Sequence, residues 1–183
     1  MIEEVRDWSV RRWSLLGLGF SVLMMAVALG LEHLAGLEPC PLCIFQRMAV
    51  IAAGLVFAVA ALHDPGGRIG AALYGLASLL AVGTGIGLAG RHLWLQSLPA
   101  DQVPSCGPGL DYMMEILPLQ QVVATVLTGS GECAEIGATL LGLSLPGWTL
   151  IGFLVLGLVP LGLLARALRR RRGYRWPGLT ERD

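Results

Sequence analysis

The chain contains no lysine; its thirteen basic residues are all arginine. That bias reflects composition and carries no functional reading, but the scarcity of charge does. Charged residues make up 14% of the 183 positions and hydrophobic residues 55%, too apolar a balance for a soluble domain of this length. The arginines cluster beside apolar runs without interleaved stacking aromatics, which excludes a nucleic-acid footprint. A cleaved signal peptide is excluded as well. Leu15 to Leu31 runs seventeen residues without a charge, longer than a typical signal core, and a second apolar run follows at once. What is left is an integral membrane protein whose zero formal charge hides a strong segregation of arginines.

Four runs are long enough to cross a bilayer. The first spans residues about 14–34, with Trp13, Glu32 and His33 as flanking groups. The second, about 43–62, reaches spanning length only if its helix begins near Cys43 and carries Gln46 and Arg47 in its first turns. His63-Asp64-Pro65-Gly66-Gly67-Arg68 is a tight turn dense in helix breakers. The third run, about 69–90, holds Gly70, Gly75, Gly83, Gly85, Gly87 and Gly90, small residues that permit close helix approach. The fourth, about 147–166, contains Pro160, a kink that neighbouring helices can accommodate. Residues 1–183 thus read as one integral membrane domain, an all-α four-transmembrane-helix bundle with loops at about 35–42 and 91–146.

Every arginine except Arg47 and Arg91 falls on the side of the two termini. The positive-inside rule places that side, with the Asp64 turn, in the cytoplasm. All four cysteines, Cys40, Cys43, Cys106 and Cys133, then lie in the two outward-facing loops. Outside a bacterial inner membrane the medium is oxidising, so they are read first as disulfides. The 91–146 loop is too long for a passive connector. Around Cys106 the run Val103-Pro104-Ser105-Cys106-Gly107-Pro108-Gly109 fits an exposed, mobile segment suited to meeting another protein. Further on, Pro118 can start a helix in which Leu119, Val122, Val123 and Val126 share a face. A segment of that length is interfacial rather than spanning. Its face, with Leu110, Met113, Met114 and Leu117 before it, either packs on the bundle or forms an adaptable contact surface.

The chemistry centres on Glu38-Pro39-Cys40-Pro41-Leu42-Cys43-Ile44-Phe45-Gln46-Arg47. Two thiols two residues apart close a small disulfide ring or share a metal, and both uses need the thiolate. Arg47 lies one helical turn beyond Cys43, where a permanent cation stabilises a thiolate or any anion beside it; otherwise it is an interfacial anchor. Three readings of the four cysteines stand together. A structural zinc shell usually joins two Cys-x-x-Cys knuckles, whereas Cys106 and Cys133 are single and widely spaced, so no metal site is expected. Two bracing disulfides suit Cys106 and Cys133 better than the small Cys40 and Cys43 ring, which removes little chain entropy. The third reading is a redox relay.

With Arg91-His92, Pro104-Ser105-Cys106, Gly131-Glu132-Cys133-Ala134-Glu135 and Leu141 to Trp148 in order after Cys40 to Arg47, the sequence resembles the disulfide bond formation protein B (DsbB) family over nearly its whole length. The resemblance implies a four-helix inner-membrane quinone reductase, using ubiquinone or menaquinone, that reoxidises a periplasmic DsbA-type thioredoxin-fold dithiol oxidase. It also implies redox disulfides Cys40–Cys43 and Cys106–Cys133. The partner's thiolate would attack Cys106, releasing Cys133, and electrons would pass to Cys40 and Cys43. Cys43 would face the quinone, Arg47 would stabilise charge on both, and His92 would lie near the quinone. Two departures stand out. Ile136, Gly137, Ala138 and Thr139 follow Cys133 where relatives often carry an aromatic residue, which bears on how the loop is anchored. Gln46 replaces an acid of some relatives, leaving the Arg47 charge less offset. A vitamin-K-epoxide-reductase-like oxidoreductase is disfavoured because the Cys-x-x-Cys lies in the first outer loop, and a disulfide-braced or zinc-bearing membrane scaffold is the non-enzymatic alternative.

Overall fold

The computed structural model describes residues 8–99, 101–104, 110–129 and 131–169. Three unbroken helices and one interrupted helix are long and apolar enough to cross a membrane: α1 (Val10–Ala35), α2 (Pro41–His63), α3 (Arg68–Gln96) and the pair α7 (Leu145–Leu156) and α8 (Leu158–Arg169). Between α3 and α7 lie α4 (Leu110–Ile116), α5 (Leu119–Thr128), α6 (Gly131–Ala134) and the strands β1 (Thr139–Leu140) and β2 (Leu143–Ser144).

Local chemistry sets the ends of these helices. Ser9 caps α1 by accepting from the Arg12 N–H, and Gly36 ends it in the left-handed conformation. Asp64 ends α2 at φ 37° while its carboxylate accepts from the Arg11 N–H at 3.1 Å, tying the turn to α1. In the fourth membrane-length segment the helix breaks at Gly157, one turn before Pro160. Proline has no N–H for the Leu156 carbonyl, which is the physical basis of the expected kink.

Helix α1 packs chiefly on α2, α2 on α3, and α3 on α7 and α8. The middle of the bundle is filled by Ala53, Phe57, Val82, Phe153 and Leu156. Two glycines make this close packing possible. A Cβ on Gly85 would sit 2.2 Å from the Phe153 ring, and one on Gly17 2.8 Å from Phe57. Of the six α3 glycines expected at helix contacts, Gly75 and Gly85 are there, whereas Gly83, Gly87 and Gly90 face open space and Gly70 meets the Pro65 side chain. Period alone does not tell which side of a uniformly apolar helix meets a neighbour.

A second buried cluster closes the loop end of the bundle. Leu42 of α2 and Leu88 and Leu95 of α3 meet Met113 of α4, Val122 and Val126 of α5, and Cys133 of α6. The apolar stripe of α5 thus packs on the bundle, and Leu110, Met113 and Leu117 do the same, while Met114 and Leu119 point outward at 61% and 71% exposure. Arg91 fixes α5 at its far end by donating to the Leu127 and Thr128 carbonyls at 3.1 and 2.8 Å, beneath which its guanidinium lies over the Trp94 ring. A cation at a helix C-terminus satisfies carbonyls that have no partner within the helix.

Candidate active site

Pro41 occupies the first turn of α2, where its missing N–H costs nothing and its fixed φ favours the helix. The helix therefore starts two residues before Cys43, and Cys40 becomes its N-cap, with Sγ accepting from the Cys43 N–H at 3.4 Å. Both thiols thus stand at the end of a helix where unpaired N–H groups and the macrodipole favour anions. Their sulfurs are 3.1 Å apart.

Helix α3 continues through Gln96, so Arg91 and His92, expected at the start of the loop, stand on its last turns. His92 is 3% exposed and reaches both sulfurs: Nε2 lies 3.8 Å from Cys40 Sγ, and Nδ1 lies 3.9 Å from Cys43 Sγ. Gln46, equally buried, sets its side-chain amide 3.3 Å from His92 Nδ1. An amide can donate or accept there, so Gln46 can orient the ring in either tautomer. The sequence offered Gln46 only as a missing acid. Its place one turn past Leu42 on the buried side of α2 was the available signal.

Arg47 faces the other way. Its guanidinium pairs with the Glu32 carboxylate of α1 and donates to the Ala28 carbonyl at 3.4 Å. The expectation that its charge is poorly offset is corrected here, because Glu32 supplies the acid from another helix. Glu32 read as a mere flanking group because α1 runs on to Ala35, carrying it inward of the helix end.

Cys133 is buried, 1% exposed, in the cluster against which Cys40 packs. Its neighbours Glu132 and Glu135 line a cavity of about 370 Å³ together with Glu38, Cys40, Cys43 and His92. The structure thus brings Cys40, Cys43 and His92 together, walls them with the Cys133 segment, and sets Arg47 on the α1 side. Cys106 lies outside the described residues.

The family profile described as "Disulfide bond formation protein DsbB" matches residues 10–163. A protein of Chromohalobacter salexigens named "Disulfide bond formation protein B" is 60% identical over 144 residues, 78% of this chain and 83% of its own. One of the same name from Marinobacter nauticus is 54% identical over 134 residues, 72% of this chain and 79% of its own. The chain belongs to the DsbB family. As a DsbB-family chain with four membrane-length helices it is a multi-pass membrane protein and an oxidoreductase of disulfide formation. The loop after Cys133 is held by a hairpin that the sequence did not announce. Thr139 pairs with Ser144 and Leu140 with Leu143 around Leu141 and Gly142, both at positive φ. The Trp148 indole donates to the Leu140 carbonyl at 2.9 Å, and Ser144 Oγ donates to Gln96 Oε1 at 2.7 Å, fastening the hairpin to α7 and α3.

Proposed function

We propose that the chain is an inner-membrane thiol:quinone oxidoreductase that reoxidises a periplasmic DsbA-type dithiol protein and passes the electrons to ubiquinone or menaquinone. The observation that carries this reading is the meeting of Cys40 and Cys43, at 3.1 Å, with the Cys133 segment at the loop end of a membrane-length helix. The name of the relatives supports it, and so does the arginine distribution, which by the positive-inside rule favours cytoplasmic termini and periplasmic cysteine loops.

The partner dithiol supplies two electrons, which the two disulfides of the chain accept in turn. A partner thiolate attacks Cys106 Sγ of the Cys106–Cys133 disulfide; the S–S bond breaks, Cys133 leaves as a thiolate, and the partner's second thiolate displaces Cys106 to leave the partner oxidised. The resulting dithiol reduces the Cys40–Cys43 disulfide in the same manner, two electrons and two protons moving together. His92, beside both sulfurs, can hold or give up a proton at Nε2 or Nδ1 during this exchange. A quinone, when bound, supplies a two-electron, two-proton acceptor. The residues beside Cys43 fit such a group: Arg47 offers a cation in the first turns of a membrane-length helix, and Leu29 and Met48, adjoining Ala28 and Arg47 in sequence, expose apolar side chains on the outer surface of the bundle. Arg47 would offset negative charge on the bound group, and Cys43 would be the thiol that gives up the electrons.

Dithiothreitol-driven reduction of a soluble quinone by the purified protein tests the assignment of the first pair. Cys40→Ser and Cys43→Ser are each expected to lower turnover to the uncatalysed background. Turnover at the wild-type rate in both would overturn the reading.

A further inference from the structure

The site that joins Cys40, Cys43 and His92 also presents the donor set of a metal site. The three ligand atoms lie within 4.8 Å of one another. Zinc bonds of about 2.0–2.3 Å in a tetrahedron hold neighbouring donors about 3.3–3.8 Å apart. Against that, Cys40 Sγ to His92 Nε2 is 3.8 Å and Cys43 Sγ to Nδ1 is 3.9 Å, with the sulfurs at 3.1 Å. One imidazole gives one nitrogen to one ion, so Nε2, beside Cys40 Sγ, is the candidate ligand, and the Cys43 sulfur must shift from Nδ1 to share it. Gln46 at 3.3 Å from Nδ1 is the kind of partner that orients a ligating imidazole through its other nitrogen.

A second, independent feature points to a cation. The cavity that opens on the sulfurs carries three carboxylate residues, Glu38, Glu132 and Glu135, and among the described residues no arginine lines it. A concave wall of one sign concentrates ions of the other and offers oxygen donors to complete a coordination shell.

We infer that the reduced Cys40 and Cys43 thiols, with His92, form a binding site for one thiophilic divalent cation such as zinc or cadmium, reached through the Glu38, Glu132 and Glu135 cavity. Two thiols release two protons as two thiolates ligate the ion, and the imidazole joins as a neutral donor; no electron moves. The Cys40–Cys43 disulfide has no thiolate to offer, so the site exists in the reduced protein and vanishes on oxidation. It differs from a structural four-cysteine zinc shell, since Cys106 and Cys133 take no part. Its consequence for turnover, arrest of the enzyme in the reduced state, rests on the proposed function, whereas the binding itself does not.

Cadmium titration of the purified full-length protein carrying Cys106→Ser and Cys133→Ser, reduced and freed of reductant under anaerobic conditions, reads the site through thiolate-to-cadmium charge-transfer absorption. One cadmium per chain is expected, with affinity reduced at least about tenfold by His92→Asn and abolished by oxidation of Cys40 and Cys43. Equal affinity in the His92→Asn protein, or undiminished binding after oxidation, overturns the proposal. X-ray absorption at the zinc edge on the reduced protein with all four cysteines needs no variant: two sulfur and at least one nitrogen neighbour support the site, and four sulfur neighbours contradict it. Neither readout depends on quinone reduction, so failure of this site leaves the enzyme assignment untouched, and the reverse.

Discussion

Four positions separate Cys43 from Arg47, and the two side chains use different neighbours, the thiol facing His92 and the guanidinium facing Glu32. If Arg47 stabilises charge on a bound quinone, Arg47→Met should slow dithiothreitol-driven quinone reduction about tenfold, the loss of roughly one charge-assisted hydrogen bond. Glu32→Gln keeps the cation but frees its orientation, so it should raise the apparent KM for quinone more than it lowers kcat. Unchanged kinetics in both variants would reduce Arg47 to an interfacial anchor. Residue identity was the most legible level of the chain, since Cys-x-x-Cys followed by Arg is a local pattern. Partners were not legible: Glu32 lies fifteen residues before Arg47, and Gln46 reaches His92 across 46, so only helix packing could reveal either contact.

At the scale of elements, three of the membrane-length helices followed directly from charge-free runs, the second only by carrying Arg47 in its first turns, and α5 from an i, i+3, i+4 repeat with Pro118 at its N-cap. The exact ends did not follow, because polar residues at a membrane surface continue a helix as readily as they end it; α3 keeps Arg91 and His92 for that reason. Nor did the hairpin, whose two-residue strands are too short for any periodicity. Close packing gives a paired prediction. Gly85→Ala, which places a methyl 2.2 Å from Phe153, should destabilise the bundle by about 1–3 kcal/mol, whereas Gly83→Ala, with nothing within 4 Å, should be neutral or stabilising by up to about 1 kcal/mol. Thermal unfolding in detergent compares them, and equal shifts would contradict the packing described. For α5, Arg91→Ala removes the donors to its last carbonyls. Amide exchange over Leu119–Thr128 should quicken about fivefold, a change of about 1 kcal/mol in local opening, with the middle of α3 unaffected.

Taken whole, the molecule joins two exchange chemistries at the loop end of its helices. Under the proposed function the first cysteine pair would meet the bilayer-soluble acceptor and Cys106, in the sequence of the long loop, would meet the soluble protein, with buried Cys133 packed in the same cluster as Cys40. Phosphatase fusions after Gly36 and after Gly137 should be active in the periplasm and a fusion after Gly66 inactive; the reverse pattern would invert the topology. The measurement that tests the central claim most directly is quinone reduction, followed by absorbance, with a reduced DsbA-type protein as donor, comparing wild type with Cys106→Ser. Wild type should turn over with the protein donor and with dithiothreitol, and the variant with dithiothreitol alone, which assigns Cys106 to the partner and Cys40 with Cys43 to the quinone. Absence of quinone reduction by the wild type under both donors would contradict the account and leave a disulfide-braced membrane scaffold.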